Sequence, residues 1–209
     1  DFFEPSFYWI LRQSGLIDEN VASPFGTAHR GFNFGDGAAF LVLESEAEAR
    51  KRGATRCYGE IAGGAVNCYP GDGVPSIAGI VKTVEDTLQS AGLSRGDIDF
   101  ISPHGFGIAD MDYAESVALK RSFGPLIHEI PMAVFSPFTG YSFAASGYLD
   151  LIAVLDGMQN SGIAAGFRPD SLDEVSGFNL YRDTINPNSV RNVLKIKMAY
   201  SGSVGGLVV

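Results

Sequence analysis

Pro103-His104-Gly105-Phe106-Gly107-Ile108 is the stretch whose reading decides this chain. It follows Asp97-Ile98-Asp99-Phe100-Ile101-Ser102, an alternating run that predicts a strand ending in a polar turn. The two glycines let the backbone turn sharply and come close to a ligand. A histidine just past the C-terminal end of a strand stands where open α/β sheets place their chemistry. The side chains that accompany it, Phe106 and Ile108, are apolar.

Outward from this loop, helical and strand patterns alternate. Pro5 to Leu16 predicts a helix with Pro near its first turn and Phe7, Ile10, Leu11 and Leu16 as its apolar set. The loop Ala22–Gly37 leads into an apolar strand, Ala38–Leu43, and Ser45–Arg52 reads as a short charged helix or turn. Thr55–Ala65 is strand-like. Ser76–Ser90 is the clearest amphipathic helix, with Ile77, Ile80, Val81, Val84 and Leu88 on one face and Gly92 past its end. A helix over Asp112–Phe123 follows the histidine loop, and Met132–Phe135 is a short strand entering a Ser136–Gly140 turn. Ser142–Met158 is apolar nearly all round, so a buried helix is expected. Ser161–Asn192 is turn-rich and polar, and two strands, Val193–Tyr200 and Ser203–Val209, close the chain. The fold class is α/β, layered, with a mixed sheet.

Composition sets outer bounds. The 209 residues are 45% hydrophobic with 26 glycines, which suits a turn-rich α/β protein. A net charge of −9, with no basic patch, argues against nucleic acid. No run is long enough to span a membrane, and Asp1-Phe2-Phe3-Glu4-Pro5 does not read as a leader, so a cytoplasmic protein is expected. Cys57 and Cys68 read as small buried or half-buried hydrophobes, and a disulfide is not required. His29 and His128 lack ligand-like spacing and read as surface or turn residues, so no metal is expected. Gly71-Asp72-Gly73 is a turn signal.

Four segments in order resemble the β-ketoacyl synthases of fatty-acid and polyketide synthesis. His104-Gly105-Phe106-Gly107-Ile108, then Asp112 and Glu115, is similar to that family's His-Gly-Thr-Gly-Thr with a following Asp and Glu. Arg30–Glu44 is similar to "DGFxxGEGAGxLVLE", Phe138–Gly147 to "MTGHxxGAAG", and Ala199–Val209 to "SFGFGGTNAxLVL". The resemblance implies the C-terminal half of a thiolase-like αβαβα sandwich. It implies one domain over residues 1–209 that needs an N-terminal-half partner, because a helix lying between two sheets would otherwise leave a large apolar face open. In that family the nucleophilic cysteine belongs to the other half, and neither Cys57 nor Cys68 replaces it.

The resemblance also assigns site positions. His104 retains the first catalytic histidine. Phe106 and Ile108 stand where two threonines hold the phosphopantetheine arm of an acyl carrier protein. That arm would lose two anchors of about 1 kcal/mol each. Tyr141 replaces the second histidine, and a phenol cannot shuttle protons near neutral pH. Ser136 takes the place of a lysine, Phe138 that of a methionine, and Ser203 that of a gating phenylalanine. Phe106, Phe138 and Tyr141 are the candidates to fill the vestigial site. Asp36, Asp112 and Glu115 are expected to be buried carboxylates that tie loops through backbone N–H groups.

Three functions fit. The first is a non-catalytic subunit similar to chain-length factors, shaping the tunnel of a partner ketosynthase. The second is half of an active but atypical condensing enzyme or acyltransferase, using His104 with a cysteine from the other half. The third is a scaffold without a tunnel. No bound cofactor is expected beyond a carrier's phosphopantetheine. The chain's acidity places any carrier docking mainly on another polypeptide.

Overall fold

A computed structural model describes residues 4–69, 74–160, 162–172, 177–180 and 183–209. The Gly71-Asp72-Gly73 turn and Asp1–Phe3 lie outside these residues.

The sheet has four strands: β1 (Gly63–Cys68), β2 (Phe100–Ser102), β3 (Val193–Met198) and β4 (Ser203–Val208), in the order β1-β4-β3-β2. β1 and β3 flank β4 antiparallel, and β2 joins β3 in parallel, so the sheet is mixed. β3 and β4 form a hairpin whose ladder runs from Leu194↔Val208 to Met198↔Val204.

The described residues form six α-helices: α1 (Pro5–Gln13), α2 (Glu46–Lys51), α3 (Ile77–Ala91), α4 (Ala109–Phe123), α5 (Ser136–Thr139) and α6 (Ala144–Gln159). α3 starts where the Ser76 side chain accepts the Gly79 N–H at 2.9 Å, and it ends at Gly92 in the left-handed region, φ 67°. Its Ile80, Val84 and Leu88 pack with Ala118 and Leu119 of α4 against Leu194, Ile196, Met198, Val204 and Val208 of the sheet. A methyl at Gly206 would lie 2.2 Å from the Thr87 Oγ1, so glycine lets α3 settle directly on β4. The opposite sheet face carries Phe100, Val193 and Val209 against Leu151 and Val154 of α6. Helices on both faces of a mixed sheet give three layers.

Several expected elements differ. The Ala38–Leu43 segment is not a strand: it has no ladder partner among the described residues, and Phe40 and Val42 are 89% and 93% exposed. Strand propensity cannot form a strand without a neighbour to bond. In Thr55–Ala65 only the last residues reach β1, which runs on to Cys68. The Asp97–Ser102 strand begins only at Phe100, after a 3₁₀ turn over Arg95–Asp97. Met132 makes single bridges to Ile101 and Leu180, and the expected turn after it is the short helix α5. In α1 only Leu11 is buried; Phe7 and Ile10 are exposed. Within 161–192 the described residues carry bridges at Ile163 and Leu172 and one 3₁₀ turn, Pro187–Ser189.

α6 is buried along one side only. Tyr148 and Ile152 are exposed, and Tyr148 with Phe40, Leu43 and Ile61 lines an open apolar depression of about 390 Å³. Cys57 and Cys68 are free and exposed, correcting the buried reading. Among the described residues no helix is long and apolar enough to cross a membrane.

Candidate functional site

β2 delivers Ser102, Pro103 and His104 to the rim of the sheet, and α4 fixes the loop that follows. Asp112 and Glu115, three apart on the first turns of α4, share one helix face. Glu115 accepts the His104 N–H at 2.6 Å and the Gly105 N–H at 2.9 Å. Asp112 accepts the Phe106 N–H at 2.8 Å, the Gly107 N–H at 3.1 Å and, from a distant segment, the Phe25 N–H at 2.9 Å. Gly105 and Gly107 have φ of 54° and 83°, and a methyl on either would strike Val134 or the Gly31 carbonyl.

Both carboxylates are fully buried. Burial raises the Glu115 pKa to about 7, against the pull of its two N–H donors. Asp36, grouped with them in the sequence, is exposed, which corrects its expected burial. His29 is corrected the other way. Its Nδ1 lies 3.2 Å from Asp112 Oδ2 with a nearly buried ring, so it belongs to the loop's support. His128 is exposed and meets the Gly177 carbonyl through Nδ1 at 3.1 Å.

His104 is 1% exposed. The Met198 N–H donates to its Nδ1 at 3.4 Å, which places the ring proton on Nε2. That Nε2 has no hydrogen-bond partner among the described residues. Burial, then the charges of Lys197 and Lys195, push the His104 pKa well below its ordinary value. The site therefore holds a neutral imidazole presenting an N–H donor.

Aromatic rings close around it. Phe106 is buried, stacked on Phe32 at 4.8 Å and edge-on to Tyr141 at 4.6 Å, with the His104 ring 5.0 Å away. Tyr141 lies 5.7 Å from His104, and burial raises its pKa to about 12, so it stays a neutral donor. Ser136 is buried and donates to the Gly105 carbonyl at 3.1 Å, tying α5 to the loop. Ile108 is half-buried at the start of α4.

Two expected members stand apart. Phe138 is 65% exposed and turns its ring to Phe167, so it does not fill the site. Ser203 opens β4 and bonds Ser201 at 3.1 Å, whereas Tyr200 brings an aromatic ring to Phe106 at 5.4 Å.

The sequence reading passed over three charged residues. Lys195 is buried on β3 and donates to Ser102 Oγ (3.1 Å), the Pro103 carbonyl (3.2 Å) and Asp150 of α6 (2.6 Å). Lys197 points to the same face, 3.6 Å from Asp150 and 5.0 Å from the Tyr141 ring centre. The signal was present as two lysines at strand period in an apolar run, facing one aspartate in an apolar helix.

A histidine delivered by a strand, gripped by two carboxylates of the next helix in a layered α/β sandwich, defines a thiolase-like fold. The family model "Beta-ketoacyl synthase, C-terminal domain" matches residues 58–167, and the chain belongs to the β-ketoacyl synthase family. It is 36% identical over 138 residues to a Streptomyces rimosus protein named as an oxytetracycline polyketide β-ketoacyl synthase 1, covering 65% of this chain and 32% of that one. Among solved structures, "The ishigamide ketosynthase/chain length factor" superposes with a TM-score of 0.87 at 26% identity, over 100% of this chain and 51% of that one. A type II polyketide synthase acyl-carrier protein in complex with its ketosynthase shares the fold, with a TM-score of 0.87 at 24% identity over 100% and 53% of the two chains. The chain thus spans a third to a half of these proteins.

Proposed function

We propose that this chain is the C-terminal half of a polyketide-type ketosynthase subunit that catalyses no condensation and shapes the acyl tunnel of a partner ketosynthase. The observation that carries this is Phe106. Its buried ring lies against His104, Phe32 and Tyr141, at a position to which the family resemblance assigns a threonine that holds a pantetheine arm. Tyr141, neutral up to about pH 12, supplies no second base. The open apolar face along α6 and Phe40–Leu43 supports a companion polypeptide bearing the N-terminal half. The solved ketosynthase/chain length factor supports the kind of assembly. The carrier complex supports an acyl carrier protein as a further kind of partner, and the cofactor proposed is the phosphopantetheine of that carrier.

A second reading rests on the unpartnered Nε2–H of His104: an active, atypical condensing enzyme with a cysteine from the companion. Acyl transfer from a carrier thioester to the assembled complex separates the two. The tunnel reading expects product length to change in Phe106→Ala and turnover to survive His104→Ala. Turnover lost with His104→Ala overturns it.

A further inference from the structure

Two buried donors around Tyr141 lack acceptors. One is the Nε2–H of His104; the other is the Lys197 ammonium, whose Nζ is buried without a hydrogen-bond partner among the described residues. Both meet the Tyr141 ring, His104 at 5.7 Å between ring centres and Lys197 at 5.0 Å. Asp150 answers the need only in part: it offsets charge, but its Oδ1 also has no hydrogen-bond partner among the described residues. Its Oδ2 is taken by Lys195 at 2.6 Å and stands 3.6 Å from Lys197, so two ammonium groups share one carboxylate. Cations buried without full pairing are costly to keep, and a strand replaces such a lysine with an apolar residue unless it has a task. The Lys197 stem packs along α6 at Gly147, where a methyl would meet its Cγ at 3.6 Å, an ordinary contact distance. The side chain therefore runs along α6 toward the rim where His104 stands.

We propose that Lys197 is an anion-binding residue, donating with His104 to a carboxylate seated beside Tyr141. The inference rests on the reading above that a companion polypeptide closes this face. The carboxylate comes either as the head of an acyl ligand or as a side chain of that companion. The chemistry is the same: one cation and one neutral N–H donor against two oxygens. Burial and the Lys195 charge lower the Lys197 pKa to about 8, which leaves the ammonium charged at neutral pH and sheds it a little above.

The test uses the assembled complex at pH 7 with hexanoate and its neutral isostere hexanamide. If a ligand brings the carboxylate, hexanoate binds at least tenfold tighter than hexanamide. That preference disappears in Lys197→Met and survives in Lys197→Arg. If the companion brings it, neither probe is preferred, and Lys197→Met weakens assembly at least tenfold while Lys197→Arg does not. Should Lys197→Met fail to fold, Lys197→Gln takes its place: it loses the hexanoate preference if a ligand brings the carboxylate and weakens assembly if the companion does, while Lys197→Arg keeps wild-type behaviour in both cases. A hexanoate preference that persists in Lys197→Met overturns the proposal. So does wild-type behaviour of all three variants, or equal loss in all three. A wild-type complex that never forms is a separate result: it overturns the tunnel function and removes the closed site with it.

Discussion

Glu115 holds His104 by the backbone rather than by the ring: its two oxygens accept the His104 and Gly105 N–H groups at 2.6 and 2.9 Å. The imidazole is thus positioned from α4 without the carboxylate engaging either ring nitrogen. Its Nδ1 takes the Met198 N–H.

This arrangement sets a pH dependence. The folded Glu115 pKa, about 7, lies above its unfolded value near 4.5, so the folded state binds the extra proton between them. Its stabilising contribution is complete below about pH 4.5 and is lost as pH rises through 7, a loss of roughly 3 kcal/mol. Glu115→Gln should flatten this part of the stability profile. Urea unfolding of the complex from pH 4.5 to 8 checks it; an unchanged slope would count against the buried carboxyl.

His104 acts with the opposite sign. Its folded pKa is depressed, so its contribution is present above about pH 6.5 and lost as pH falls. Imidazole ¹⁵N spectra should show a neutral ring carrying hydrogen on Nε2 throughout pH 6–8. A midpoint near 6.5 would show a wet, unburied histidine.

Asp112→Ala leaves the Phe25, Phe106 and Gly107 N–H groups without their acceptor. At about 1 kcal/mol or more per orphaned buried donor, the loss should be about 3 kcal/mol or more. Denaturant midpoints of the complex measure it, and a loss below about 1 kcal/mol would mean water replaces the carboxylate.

Lys195→Met leaves Asp150 to Lys197 alone and removes the donor to Ser102 Oγ and the Pro103 carbonyl, which should cost about 2–3 kcal/mol. Adding Asp150→Leu also takes the carboxylate from Lys197, so the double variant should cost more than either single change but less than their sum. A double-mutant cycle on melting gives the coupling. Additive losses would rule out a direct pair.

Phe106→Ala removes a ring stacked on Phe32, with an expected cost of about 3–5 kcal/mol. Phe138→Ala should change stability by less than about 0.5 kcal/mol, since that ring is mostly in solvent. Comparable losses at both positions would place Phe138 in the plug after all.

The elements that close on their own partners were readable from sequence. α3 carries its cap, stripe and terminal glycine within one segment, and β3 and β4 are neighbours in the chain. The histidine loop was legible because its glycines and its two acids stand at fixed offsets. Ala38–Leu43 was misread because strandness needs a bonded neighbour, and none of the described residues provides one. Phe138 was expected in the site and Tyr200 was not, because linear order does not say which ring turns inward. Lys195, Lys197 and Asp150 went unnoticed because each looks like a stray charge until β3 and α6 are laid together.

Asp112 grips peptide nitrogens on both sides of the loop and touches no side chain at position 106. The backbone course there is consequently indifferent to what residue projects from it. A frame of this kind works as a socket into which evolution can plug a hydroxyl or a ring without re-laying the wiring, so a lineage can pass between gripping a tether and blocking it by single substitutions at the rim.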